Sequence, residues 1–220
     1  MDKVSLDIEK DNMINGQLKA LGIDCPNTLS CLSKIRREDF APSDYKALSY
    51  SDIDIPINSK YSMIKPTYAA KILQQLKINN SSTVLEIGTG SGYLTACLSY
   101  LSKHVDTIDI DKKLLISAEK RLKKLLCSNI SFFNEDIFSK WQPKNKYNFI
   151  VVNGSVLSRI SKLENFLEDN GKMFIVIGEY PFMQGHVIEK VQNNKFLFES
   201  VFEIVLDPLS NQESKKDFIF

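Results

Sequence analysis

Apolar and polar residues alternate along this chain in two rhythms, and the change between them marks its elements. Residues 5–21 place Ile8, Met13, Ile14, Leu18 and Leu21 at near-helical spacing, which predicts an amphipathic helix stopped by Gly22. A second helix is predicted over 27–35, with Asn27 as its cap. Residues 43–65 keep no lasting period and read as a loop with a short strand near 53–57. Pro66 opens a helix over 67–77. Short apolar runs then predict strands at 84–87, 105–109, 130–133, 147–153 and 172–177, with helices at 93–98, 112–127 and 160–167 between them. This order predicts an α/β fold built on a doubly wound, mostly parallel sheet. The run 196–206, FLFESVFEIVL, has no helix between its halves and predicts an antiparallel hairpin or edge pair at the C-terminal side. A single domain is expected, with residues 1–80 forming a helical cap and overlying loop and residues 81–220 the core.

Composition narrows the function classes more than it names one. Lys+Arg 28 against Asp+Glu 27 leaves a formal net charge of +1, so no global field favours nucleic acid or an anionic membrane, and neither is expected as a partner. The apolar runs are too short to span a bilayer, and the first residues lack a signal-peptide core. Four cysteines without a C-x-x-C pair, and only two histidines, make a metal site unexpected and point to a reducing, cytoplasmic setting. A monomer is the default expectation. The charged cluster Lys34, Arg36, Arg37, Glu38 and Asp39 reads as solvated surface.

The candidate chemistry gathers around residues 84–93, VLEIGTGSGY. A buried strand runs into Gly88, Gly90 and Gly92, and a helix follows at once. Glycines here permit positive φ and let a ligand approach the backbone. A strand, glycine turn and helix N-terminus make a nucleotide-sized site at the carboxyl edge of a sheet. The dinucleotide fingerprint G-x-G-x-x-G fails, because its last glycine is Tyr93. The pattern present is E-x-G-x-G-x-G, from Glu86 through Thr89 to Gly92, which resembles the first motif of S-adenosylmethionine-dependent methyltransferases.

Three further positions fit such a site. Asp109 ends the second strand, 17 positions after Gly92 (109 − 92), where a carboxylate can take both ribose hydroxyls, with Ile110 beside it. Asp111 is the better placed to cap the next helix. Asp136, after the third strand, is either a partner for the adenine amine, with Ile137 or Phe138 against the ring, or a solvated loop acid. Asn153, after the fourth strand, either positions an acceptor or satisfies a turn.

From about Met13 to Leu209 the chain resembles the protein-L-isoaspartate O-methyltransferase family. The matching features are Gly22-Ile23, the R-x-x-F-x-P pattern from Arg37 to Pro42, Tyr50-x-Asp52, Pro56-Ile57, the glycine strand, Ile177-Gly178 with Gln184, and Pro208-Leu209. The resemblance implies a Rossmann-like fold, S-adenosylmethionine as cofactor, and a protein or peptide substrate whose isoaspartyl α-carboxylate is esterified. It departs at the substrate loop, G-x-G-Q-T-I-S-x-P in the family. Here that loop is Asn58-Ser59-Lys60-Tyr61-Ser62-Met63-Ile64-Lys65-Pro66. Both glycines are replaced, Tyr61 stands for the glutamine and Ile64 for the serine, and only Ser62 keeps a hydroxyl as a catalytic candidate. Isoaspartyl methylation is therefore expected to be weakened, and Ile64→Ser to improve it. A changed acceptor, or a non-catalytic S-adenosylmethionine-binding role, remains as the alternative.

Overall fold

The computed structural model describes residues 3–192 and 195–212. Its centre is a seven-stranded sheet made of β3 (Thr83–Ile87), β4 (His104–Ile108), β5 (Ile130–Phe133), β6 (Tyr147–Val156), β7 (Leu167–Glu179), β8 (Phe182–Val191) and β9 (Lys195–Glu203). The spatial order is β5-β4-β3-β6-β7-β8-β9. The first five of these are mutually parallel, while β8 runs antiparallel to β7 and β9 antiparallel to β8. The doubly wound sheet with an antiparallel edge is thus the observed architecture. The run expected as a hairpin or edge pair is instead the single strand β9. Its antiparallel partner β8 is an addition to the expected set, because FMQGHVIEKV mixes Gln184, Gly185, His186 and Lys190 into a run that shows no clean period.

Alternation along the strands sorts the core. Val84, Val151, Phe174 and Val176 point to one face, while Leu85, Ile150, Val152, Met173 and Ile175 point to the other. This is the two-residue period of a pleated strand buried on both sides. The first face is covered by α3 (Pro66–Leu76), α4 (Tyr93–Leu101), α5 (Lys112–Lys124) and the N-terminal helices. The second is covered more thinly, by Ile137, Leu163 and the loops around them.

The N-terminal helix differs in detail from its prediction. The α-helical part, α1 (Lys3–Asp11), passes into a π-helical stretch, Asn12–Leu18, and a 3₁₀ turn, Lys19–Leu21, before Gly22 ends it at φ 80°. Met13, Ile14 and Leu18 are buried, but Ile8 and Leu21 are exposed. A π turn takes more residues per revolution, so 3.6-residue spacing drops out of phase across it. The next helix, α2 (Pro26–Lys34), starts at Pro26 behind Cys25, not at an Asn27 cap. The predicted helix over 160–167 shrinks to one turn, α6 (Ser161–Glu164), because Leu167 already pairs with Tyr147 as the start of β7.

One correction matters for the site. Arg37 and Glu38 are buried, not solvated. Arg37 donates from Nε to Ser49 O at 2.6 Å and from Nη1 to Ile64 O at 2.8 Å, and its guanidinium lies 4.5 Å from the Tyr93 ring centroid. Phe40 meets the same ring edge-on at 5.7 Å. Glu38 pairs with Arg36 and accepts from the Tyr50 hydroxyl. Asp52 accepts from the Thr67 N–H and hydroxyl, which seats the first turn of α3. The N-terminal motif residues therefore lock the cap onto the helix that follows the glycine turn.

Candidate active site

The chain crosses from β3 outward to β4 and β5, then returns to the opposite side of β3 as β6. Where strand order reverses, the loops at the carboxyl ends diverge and leave a crevice. A cavity of about 420 Å³ opens there, within the range of small-molecule sites. Its walls come from the glycine turn, the ends of β4 and β6, the loop after β5, the segment around β1 (Ile55–Pro56) and β2 (Ser62–Met63), and residues 205–210.

The turn is closely fitted. Gly88 lies at φ 92°, and a Cβ there would meet Asn153 O at 2.8 Å. Asn153 in turn donates from Nδ2 to Gly88 O at 2.9 Å, so it fastens the turn across the switch point. At Gly90, by contrast, a Cβ would project to Ile57 Cδ1 at 3.6 Å, and both residues line the cavity. Gly90 thus leaves open the space a ligand needs. Gly92 serves packing: at φ 83° it faces Ala118 and Leu122 of α5 and does not line the cavity.

Asp109 is 7% exposed and faces the cavity at the end of β4. Its Oδ2 accepts from Gly90 N–H at 2.9 Å and its Oδ1 from Asp111 N–H at 2.8 Å, leaving further lone pairs for ligand hydroxyls. Burial raises its pKa, opposed by the Gly90 and Asp111 N–H groups. Asn134, which the sequence reading passed over, donates to the carbonyls of Asp109 and Ile110 and fixes this corner. Asp111 caps α5 as expected, accepting from Lys113 and Leu114 N–H.

Glu86 and Thr89 lie beneath the turn and do not line the cavity. Glu86 Oε2 accepts from Thr95 at 2.6 Å and Thr107 at 2.7 Å, and Thr107 meets Thr89 at 2.7 Å. Burial pushes the Glu86 pKa up to about 8, partly offset by those two hydroxyls. Asp136, Ile137 and Ile110 all line the cavity. Asp136 accepts from Phe138 N–H at 2.8 Å and from Asn211 Nδ2 at 3.0 Å.

The opposite wall is the altered loop. Asn58 Oδ1 accepts from Lys60 and Tyr61 N–H and closes a tight turn. Tyr61, Ser62, Ile64 and Lys65 all face the cavity. The Tyr61 hydroxyl meets Ser210, and Ser62 N–H donates to Asp207 Oδ2 at 2.6 Å. Ile64 is buried, with its carbonyl held by Arg37. Lys65 pairs with Asp54 at 3.2 Å. Neither histidine lines the cavity.

Comparison with known proteins decides the family. The sequence model described as protein-L-isoaspartate(D-aspartate) O-methyltransferase matches residues 9–214. The chain belongs to this family. A protein-L-isoaspartate O-methyltransferase of Dictyoglomus turgidum is 34% identical over 200 residues, spanning 91% of this chain and 90% of the relative. One from Cronobacter sakazakii is 30% identical over 199 residues, covering 90% and 94%. Among solved structures, a candidate member of the family from Plasmodium falciparum, in complex with S-adenosyl-L-homocysteine, superposes with a TM-score of 0.79. It is 20% identical and covers 90% of this chain and 97% of its own, a likeness of fold. Within the family frame, Arg37 and Phe40 of the R-x-x-F-x-P pattern are packed on Tyr93, and Pro208-Leu209 pairs with Ser155 beside the cavity. No helix among the described residues is long and apolar enough to cross a membrane.

Proposed function

We propose that this protein is an S-adenosylmethionine-dependent methyltransferase that esterifies the α-carboxylate of isoaspartyl residues in proteins or peptides. The observation that carries the reading is the open Gly90 face beside the buried Asp109 carboxylate, inside a chain of this family. When bound, S-adenosylmethionine supplies a methyl group on a positively charged sulfur: an acceptor oxygen forms the new O–CH₃ bond while the C–S electrons return to sulfur.

The chain's own residues fit that cofactor. Asp109 is the ribose partner, and Asp136 with Ile137 and Ile110 forms the adenine end. Glu86 and Thr89 support the turn from below, and Asn153 pins Gly88. The cavity wall carries the carboxylates of Asp54, Asp109, Glu135 and Asp136 beside the ammonium of Lys65, a field that favours a cationic ligand. A carboxylate acceptor is already ionised near neutral pH, so alignment does most of the catalytic work and no general base is required. Tyr61, Ser62 and Lys65 are the groups that face an acceptor. The four unpaired cysteines suit a reducing, cytoplasmic compartment.

The test is methyl transfer from labelled S-adenosylmethionine to an isoaspartyl peptide beside its aspartyl twin. Label incorporated into the isoaspartyl peptide alone is the expected result. Label on both peptides, or on neither, would overturn the isoaspartyl assignment.

A further inference from the structure

At the acceptor end of the cavity, two donors of the loop, the Lys65 ammonium and the Ser62 N–H, already serve carboxylates of the chain itself. Lys65 is taken by Asp54, and the Ser62 N–H by Asp207. Asp207 belongs to residues 205–210, a strap tied to the end of β6 by Ser155 N–H to Asp207 O and Leu209 N–H to Ser155 O. Its carboxylate therefore sits at a fixed place in the wall. Burial raises its pKa, opposed by the Ser62 N–H.

We propose that Asp207 is a specificity-determining residue, an internal carboxylate that competes with the acceptor carboxylate for the Ser62 N–H and repels it while charged. This rests on the isoaspartyl reading above. A carboxylate ligand at Ser62 has to displace a like group or lie beside it, and two carboxylates sharing one site cannot both ionise freely. Once protonated, Asp207 ceases to repel and offers an O–H donor instead. Asp54 bears on it electrostatically, and the other titratable groups that line the same cavity are Tyr61 and Lys65 from the loop, Asp109 from the end of β4, Glu135 and Asp136 from the loop after β5, and Tyr180 from the β7–β8 turn. These groups are common to wild type and variant, so the ratio of the two isolates Asp207.

The informative variant is Asp207→Asn, whose amide oxygen still accepts from Ser62 while the charge is gone. On an isoaspartyl peptide at pH 8, kcat/KM is expected to rise about tenfold, the factor that one pKa unit of interaction represents. The gain should come through a lower KM with kcat little changed. The ratio of variant to wild type should shrink as pH is lowered and Asp207 takes up its proton, since burial raises its pKa. Affinity for S-adenosyl-L-homocysteine, measured by calorimetry, should stay within about twofold, showing that the variant is folded. An unchanged or lower kcat/KM with that affinity intact, or a ratio flat with pH, would overturn the proposal. Binding of a fluorescent isoaspartyl peptide to the S-adenosyl-L-homocysteine complex separates this result from failure of the assigned reaction. If neither protein turns over, the isoaspartyl reading falls. Tighter peptide binding by the variant would still uphold Asp207 as competitor, and equal binding would reject it.

Discussion

The two ends of the cavity are built by different means. The end holding Gly88, Gly90 and Asp109 grows from the central strands β3 and β4, and its hydrogen bonds join residues within one sheet edge. The end holding Tyr61, Ser62 and Lys65 is made of loop and strap, with only the two-residue pairs of β1 and β2 as regular structure. Its order is borrowed from distant segments: Arg37 in the cap holds Ile64, and Asp207 near the C-terminus holds Ser62. A site on sheet edges keeps its geometry through many substitutions, whereas a loop-built one can change acceptor contacts without unfolding the core. That difference matches the sequence, in which the glycine turn keeps the family pattern and the loop departs from it.

The largest expected break in this contrast is Arg37→Ala. The change removes the donors to two carbonyls and leaves a void beside Tyr93. The loss should be roughly 3–5 kcal/mol of stability, from unmet buried acceptors and the unfilled volume together. Urea unfolding measures it. Methyl transfer should fall further than cofactor affinity does, because the loop loses its anchor while the glycine turn keeps its own. Equal losses of both would show that the cap supports the two ends alike.

These same residues show what the sequence made legible. The parallel strands were readable because runs such as VLEI and FIVV are buried on both faces and need no partner to be recognised. The glycine turn was readable because φ and space restrict the residue type there. Arg37 and Glu38 were misread because five charged residues within six positions look solvated, and nothing local reveals that Ser49 and Ile64 carbonyls wait for a guanidinium. Asp207 escaped notice for a related reason: its meaning lies in a contact with Ser62, 145 positions away. The strand β8 was hidden by Gly185, which lies against the Phe174 ring, and by His186 stacked on Phe198. Each is a tertiary solution that no spacing rule encodes.

Glu86 sharpens the comparison from beneath the cofactor end. Its pKa is about 8 in the folded chain, against an ordinary value of 4.5. Between those values the folded state holds a proton that the unfolded state has released, so stability falls as pH rises through this window and levels off above it. Glu86→Gln removes that titration. Relative to the variant, wild type should lose roughly 2–4 kcal/mol between pH 5 and pH 9, at about 1.4 kcal/mol per pKa unit. Thermal or urea unfolding across pH measures the gap, and a gap that stays constant would place the Glu86 pKa near its ordinary value.

The smallest of the expected effects bears most directly on the cofactor. Asp109→Ala deletes the one carboxylate that braces Gly90 N–H from the ligand side of the turn, and with it the candidate partner of the ribose hydroxyls. The binding loss should be roughly 1–3 kcal/mol for S-adenosylmethionine or S-adenosyl-L-homocysteine, the cost of unmade hydrogen bonds to a charged group. The same change removes the brace on Gly90 N–H, so Asp109→Asn is the necessary companion. The amide oxygen can keep one of the two N–H bonds while the charge disappears, so an intermediate affinity separates ligand contact from turn support. The peptide KM should move little in either variant, because Asp109 lies at the sheet-built end and the acceptor groups lie on the loop. Calorimetry giving equal cofactor affinity in wild type and alanine variant would remove Asp109 from the site. A peptide KM that rises in step with the cofactor loss would mean that the two ends of the cavity are energetically one.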